Sequence, residues 1–141
     1  MLVGLLKTAV PNPYDWSARY ARTRRDHAAE TAQDYVEAIQ QIYGDGERCR
    51  SRDLARRFEV SPVTVLKVLR RLERDGLVEL EPYGPIRLTD RGAKLAQECR
   101  RRHEAVYAFL VALGISKRTA EIDAEGIEHH VSKETLRAMR R

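Results

Sequence analysis

Residues 61–76 read Ser61-Pro62-Val63-Thr64-Val65-Leu66-Lys67-Val68-Leu69-Arg70-Arg71-Leu72-Glu73-Arg74-Asp75-Gly76, a helix with two chemically different faces. Ser61 is an N-cap residue, Pro62 suits the first turn, and Gly76 is a stop. Val65, Val68, Leu69 and Leu72 recur at helical spacing on one side. The opposite side carries Val63, Lys67, Arg70 and Arg74, with Thr64 and Arg71 beside them. Such a helix buries one face against a partner and presents the other to a polyanion.

The neighbours of this helix complete a pattern. A short helix is expected near Ser51–Phe58, with a break at Glu59-Val60. Downstream the period changes from helical to alternating. Val78-Glu79-Leu80-Glu81 and Ile86-Arg87-Leu88-Thr89 flank the turn Pro82-Tyr83-Gly84-Pro85, which reads as a β-hairpin. Helix, turn, helix, hairpin is the order of a winged helix-turn-helix. Residues 31–91 are therefore read as a DNA-binding domain. Laid in the major groove, Ser61, Val63, Thr64 and Lys67 would meet base edges, Val63 against a thymine methyl and Lys67 against guanine acceptors. Arg70, Arg71 and Arg74 would meet phosphates, joined by Arg87 on the wing and by Arg50 and Arg52.

The composition agrees. The chain has 141 residues, a formal charge of +5, 43 % hydrophobic and 33 % charged residues. Nine of its Lys and Arg fall between Glu47 and Asp75 against five acids, so the basic excess sits on the motif. No apolar run approaches the ~20 residues that span a bilayer. Met1–Leu6 is apolar but short and lacks a basic lead, so it is read as a loosely ordered start and not a signal peptide. Cys49 and Cys99 lack C-x-x-C spacing and are read as reduced thiols of a cytoplasmic protein.

Helices are expected on both sides of the motif. A polar stretch, Asp15 to Glu30, leads into a helix ending near Gly44-Asp45-Gly46, with Tyr35, Ile39, Ile42 and Tyr43 as its apolar stripe. Residues 1–30 are taken as a partly helical extension. From Thr89 a long helix runs to Leu113, stopped by Gly114, along a stripe of Leu95, Cys99, His103, Val106, Leu110 and Leu113. Two more follow, Ser116 to about His130 and Ser132 to the end. Residues 92–141 are too few to bury a core alone, which points to a helical dimerisation domain. The whole is mostly α with a small hairpin wing.

Chemistry concentrates in Glu125-Gly126-Ile127-Glu128-His129-His130. On a helix Glu125, Glu128 and His129 share a face, while His130 is rotated away. Three metal-capable groups do not complete a site. Asp34 and Glu37 repeat the i, i+3 spacing opposite their helix's apolar stripe, where solvation is the default. His103 occupies a slot in an apolar stripe, where a satisfied core histidine is the ordinary explanation.

Taken together, the helix bearing Asp34-Tyr35-x-Glu37, the winged helix, Arg102-His103-Glu104 and Asp123-Ala124-Glu125-Gly126-Ile127-Glu128-His129-His130-Val131-Ser132 resemble the diphtheria-toxin-repressor family. Within it they resemble the manganese transport regulator branch. The resemblance covers about residues 20–141. It implies a winged-helix domain joined to a helical dimerisation and metal-binding domain, without an SH3-like third domain. It also implies metal ligands at Asp34, Glu37, His103, Glu125, Glu128 and His129. Iron-responsive members place methionine at the position of Asp34 and cysteine at that of Glu125. Carboxylates there suit Mn²⁺, and shared carboxylates allow a pair of ions. The expected function is a dimeric Mn²⁺-responsive repressor of a palindromic operator, controlling manganese homeostasis genes. Three rivals stand beside it: an Fe²⁺- or Zn²⁺-responsive regulator, a winged-helix repressor with an organic effector, and a metal-dependent hydrolase. The last lacks a separate acid, base or nucleophile.

Overall fold

The computed structural model describes Asn12 and residues 15–141, so the expectation for Met1–Leu6 lies outside the described residues. Helix α1 spans Trp16–Gly44. Asp15 caps it by accepting from the Ser17 and Ala18 amides at 3.1 and 3.2 Å. Its sequence has no glycine or proline before Gly44, so nothing interrupts the polar lead-in, which is helical. The helix also runs unbroken through position 30. Its first half is mostly exposed, whereas Tyr35, Val36, Ala38 and Ile39 are buried.

Helices α2 (Ser51–Phe58) and α3 (Pro62–Arg74) form the helix-turn-helix. The break between them is Glu59, in the left-handed region at φ 52°. Ser61 caps α3 by accepting from the Thr64 amide at 3.2 Å. At the far end Gly76 has φ 73°, the conformation that lets Leu77 N–H return to Leu72 O at 2.9 Å and close the last turn. Val65, Leu69 and Leu72 are buried, and each such side chain contributes about 1.5–3 kcal/mol through the surface it removes from water.

The wing is smaller than the alternation implies. Strands β1 (Val78–Glu79) and β2 (Arg87–Leu88) pair antiparallel, with Val78 opposite Leu88 and Glu79 opposite Arg87. The next amides outward are engaged elsewhere: Ile86 N–H donates to Cys49 O at 2.8 Å and Leu80 N–H to a Glu73 carboxylate oxygen at 3.3 Å. The ladder therefore stops after two residues on each strand.

Helix α4 (Asp90–Ala112) is capped by Thr89, whose hydroxyl also donates to Gly76 O at 2.6 Å. Its first turn presses on the wing so closely that a Cβ at Gly92 would lie 2.0 Å from Leu77 O. Only glycine fits there. Helices α5 (Lys117–Ile127) and α6 (Lys133–Met139) open with Ser116 and Ser132 accepting from the third amide onward, as Ser61 does. α5 stops at Ile127, earlier than His130, so Glu128 caps it and His129 lies in the following turn.

Two clusters of buried side chains result. One gathers Val36, Ile39, Cys49, Leu54, Val65, Leu69, Leu72, Val78, Ile86 and Ala96 from α1 through the start of α4, with Tyr35 stacked on Phe58 at 4.6 Å between ring centres. The other joins Val106, Ala124 and Leu136 from α4, α5 and α6. Helix α4 belongs to both, and α1 packs on it. The acidic and histidine residues lie at that junction.

Candidate metal centre and nucleic-acid interface

Helix α1 delivers Asp34 and Glu37, α4 delivers His103, and the end of α5 delivers Glu125, Glu128 and His129. Glu128 is at the centre, buried at 2 % exposure. Its Oε2 is 2.8 Å from His103 Nδ1, and its Oε1 is 3.6 Å from His129 Nε2. His129 Nε2 lies 3.2 Å from Asp34 Oδ1, and His103 Nδ1 lies 3.9 Å from Glu125 Oε1. Asp34, Glu37 and Glu125 line one cleft. The six residues implied by the resemblance are thus contiguous in space. His130 is apart from them, its ring 3.6 Å from Glu30.

The solvated setting expected for Glu37 is not what the fold provides. Because α4 covers the second side of α1, Glu37 is half-buried, and burial raises its pKa. Burial does the same to Glu128 and, with Glu37 repelling it, carries its carboxyl up to about 7. Hydrogen bonding to Asp34 raises His129. For His103 burial pulls downward, but Glu128, Glu121 and Glu125 together outweigh it and the net shift is upward. The Cys99 thiol, which burial and the charge of Glu37 push up to about 12, stays protonated. The site is a cluster of carboxylates whose centre, Glu128 with His129, is held away from water while Asp34 and Glu125 reach the surface.

Three buried polar atoms of this cluster have no hydrogen-bond partner: Glu37 Oε1, His103 Nδ1 and Glu128 Oε2. The last two are 2.8 Å apart but not aligned as donor and acceptor. Such orphaned groups are costly unless something positive lies between them. Four carboxylates and two imidazoles, with the nearby thiol protonated, form a hard donor set for a divalent ion.

Sequence reasoning missed Glu121 and Gln33 and gave Arg102, part of the quoted motif, no role of its own. His103, Glu121 and Glu125 each offer a ligand atom within 4.8 Å of the others. Glu121 is four residues before Glu125 on the same helical face, the spacing that would have revealed it. Arg102 donates to Glu128 O at 2.9 Å and Val131 O at 2.7 Å, fixing the turn that carries His129.

On α3, Val63 is 64 % exposed, and Ser61, Thr64, Lys67, Arg70 and Arg74 are exposed with it. Arg71 departs from this group: it is partly buried and donates to Ala28 O of α1 at 3.1 Å. Arg50 donates to Tyr83 O at 3.3 Å in the wing turn, Arg87 is 3.7 Å from Glu81, and Arg52 is exposed. A second surface feature is apolar. Ile122, Ile127 and Val131 line a shallow groove along α5, with Asp123, Gly126 and His130, and Leu113 and Ile115 are exposed as well.

Residues 27–86 match the family described as "Iron dependent repressor, N-terminal DNA binding domain", and residues 89–141 match "Iron dependent repressor, metal binding and dimerisation domain". The transcriptional regulator MntR of Escherichia coli O157:H7 is 44 % identical over 133 residues, covering 94 % of this chain and 86 % of its own. The HTH-type transcriptional regulator MntR of Geobacillus kaustophilus is 35 % identical over 71 % of each chain. A solved manganese-dependent transcriptional repressor in complex with manganese superposes with a TM-score of 0.68 at 33 % identity, over 77 % of this chain and 50 % of that one. This chain thus spans half the length of that protein. The chain belongs to the iron dependent repressor family of transcriptional regulators, that of the diphtheria toxin repressor, and within it to the MntR branch.

Proposed function

We propose that this protein is a homodimeric repressor whose grip on operator DNA is switched by Mn²⁺. The observation that carries the metal reading is the pair of buried, unpartnered atoms Glu128 Oε2 and His103 Nδ1, 2.8 Å apart at the centre of a carboxylate cluster. Asp34, Glu37, His103, Glu125, Glu128 and His129 would hold the ion. Their chemistry, oxygen-rich and without thiolate, suits Mn²⁺, while affinity alone still rises toward Zn²⁺, so the DNA-binding response and not the tightness of metal binding identifies the effector. Glu128 turns one oxygen toward each imidazole, which suits a pair of ions. A divalent cation bound there supplies the positive charge that these carboxylates lack.

The residues of the chain do the rest. Without countercharge, Asp34 and Glu37 on α1 repel Glu125 and Glu128 on the α5 side, which loosens the junction. Neutralised, they tie α1 to α4 and to the turn after α5. Arg71 fastens α1 to α3 through Ala28, so the recognition helix follows α1. In a two-fold dimer, with Ile122 and Ile127 in the apolar face between copies, this sets the separation of two α3 helices. Half-sites about 34 Å or a multiple apart are then matched or missed. Lys67 and Val63 read bases, while Arg70 and Arg74 grip phosphates. Such a regulator acts in the cytoplasm by binding, not turnover. Among the described residues no helix is long and apolar enough to cross a membrane.

Fluorescence anisotropy on a labelled duplex from the protein's own upstream region tests this reading. Relative to chelated protein, Mn²⁺ tightens binding at least tenfold, about 1.4 kcal/mol of coupling, and more than Fe²⁺ or Zn²⁺ does. Binding equally tight under chelator overturns it. Glu125→Ala keeps the fold and the dimer and loses the Mn²⁺ response.

A further inference from the structure

Each imidazole of the cluster has two nitrogens, and the structure engages both in the same way. His103 turns Nδ1 toward Glu128 and Glu125, and its Nε2 meets Glu121 Oε1 at 3.0 Å. His129 turns Nε2 toward Asp34 and Glu128, and its Nδ1 meets Gln33 Oε1 at 2.6 Å. Both nitrogens of His103 face carboxylates, but only Nε2 is aligned for a hydrogen bond, to Glu121, while Nδ1 has no hydrogen-bond partner, so the hydrogen of the neutral ring belongs on Nε2. A neutral imidazole that donates from Nε2 has its lone pair on Nδ1, and one that donates from Nδ1 has it on Nε2. Gln33 turns its amide oxygen, an acceptor, to Nδ1 of His129, which places the hydrogen of that ring on Nδ1, and in both rings the lone pair then points into the acidic cluster.

We infer that Glu121 and Gln33 are positioning residues that fix the tautomers of His103 and His129, aiming one nitrogen lone pair from each ring at the metal. The inference rests on the metal reading above and assigns roles to two residues outside its ligand set. Glu121 orients a ring on another helix, from α5 to α4, and Gln33 does so from α1 across the junction. A ligand imidazole held in this way by an outer acceptor is more basic and already turned to its ion. Glu121 is exposed, with its side chain 60 % accessible. Its truncation therefore opens no core, and a change in metal affinity reports orientation and not folding.

The test measures Mn²⁺ affinity of the full-length dimer by titration calorimetry or electron paramagnetic resonance, without DNA. Glu121→Ala weakens it roughly 10–100-fold. Glu121→Gln, which keeps an acceptor, stays closer to the parent than to the alanine variant, and Gln33→Ala weakens affinity in the same direction. Histidine ¹⁵N shifts of the metal-free protein at alkaline pH show hydrogen on Nε2 of His103 in the parent and a tautomer mixture in Glu121→Ala. Unchanged affinity and unchanged shifts in Glu121→Ala overturn the positioning role while leaving the metal site intact. Loss in Glu121→Gln as complete as in His103→Ala also overturns it, making Glu121 a direct ligand. If His103→Ala binds Mn²⁺ as the parent does, the metal reading itself fails and takes this inference with it.

Discussion

Replacing Glu128 by glutamine should stabilise the metal-free protein at alkaline pH, although it removes a central group of the site. Glu128 is buried, and its carboxyl is lifted from 4.5 to about 7, burial being the first cause and the Glu37 charge the second. Below the ordinary value both the folded and unfolded chains hold the proton, and the group contributes no penalty. Between about 4.5 and about 7 the unfolded chain has lost it while the folded chain retains it, so stability falls as pH rises. Above that window the full cost of the buried charge is present, about 3 kcal/mol. Glu37 shifts in the same direction. His103 and His129 are raised as well, so the stability they contribute below their ordinary value of 6.5 is also lost with rising pH. All four tilt the metal-free protein the same way. Glutamine keeps the shape and carries no charge. In chelator at pH 8.5, Glu128→Gln should therefore melt about 10 °C above the parent, with the gap closing near pH 5. Thermal unfolding of both proteins at the two pH values measures this. A parent whose melting does not depend on pH, or a variant less stable at pH 8.5, would refute the account of a charge-strained junction.

Gly92→Ala, which in an ordinary helix position would be mildly stabilising, should here cost more than about 3 kcal/mol, because the new methyl meets the Leu77 carbonyl, a backbone atom that cannot step aside. The urea midpoint measures it, and a neutral result would mean that α4 and the wing are less tightly joined than described. Lys67→Ala should abolish sequence-specific DNA binding and leave Mn²⁺ affinity in the absence of DNA unchanged. By contrast, Arg74→Ala should weaken all sequences alike and lower the salt slope of binding by about one. Sequence-specific binding retained by Lys67→Ala would place the reading face elsewhere on α3.

Much of the scaffold was legible because its signals are local. Ser61, Thr89, Ser116 and Ser132 each cap a helix by reaching an amide three residues on, and Gly76 and Gly114 end helices by adopting positive φ. Those interactions span a few residues, so the residue types suffice to predict them. The cationic face of α3 and the acidic-histidine motif could be read the same way, since helical spacing assigns residues to faces. Glu121 was equally local, four residues before Glu125, and was overlooked for want of a partner to give it meaning.

What packs across the chain could not be read in this way. The sequence leaves Asp34 and Glu37 on a polar face, and only the docking of α4 against α1 turns that face inward and strands a carboxylate oxygen. Arg71 looks like its neighbours Arg70 and Arg74 until α1 arrives to offer the Ala28 carbonyl, 43 residues away in sequence. The wing shrinks because Cys49, from before α2, takes the Ile86 amide. His129 finds Gln33 across 96 residues. Composition and periodicity determine which faces are apolar, cationic or acidic, because those properties belong to single residues and their near neighbours. Which two faces meet, and so which charges are forced together out of water, is decided by long-range packing, because burial depends on what lies on the other side.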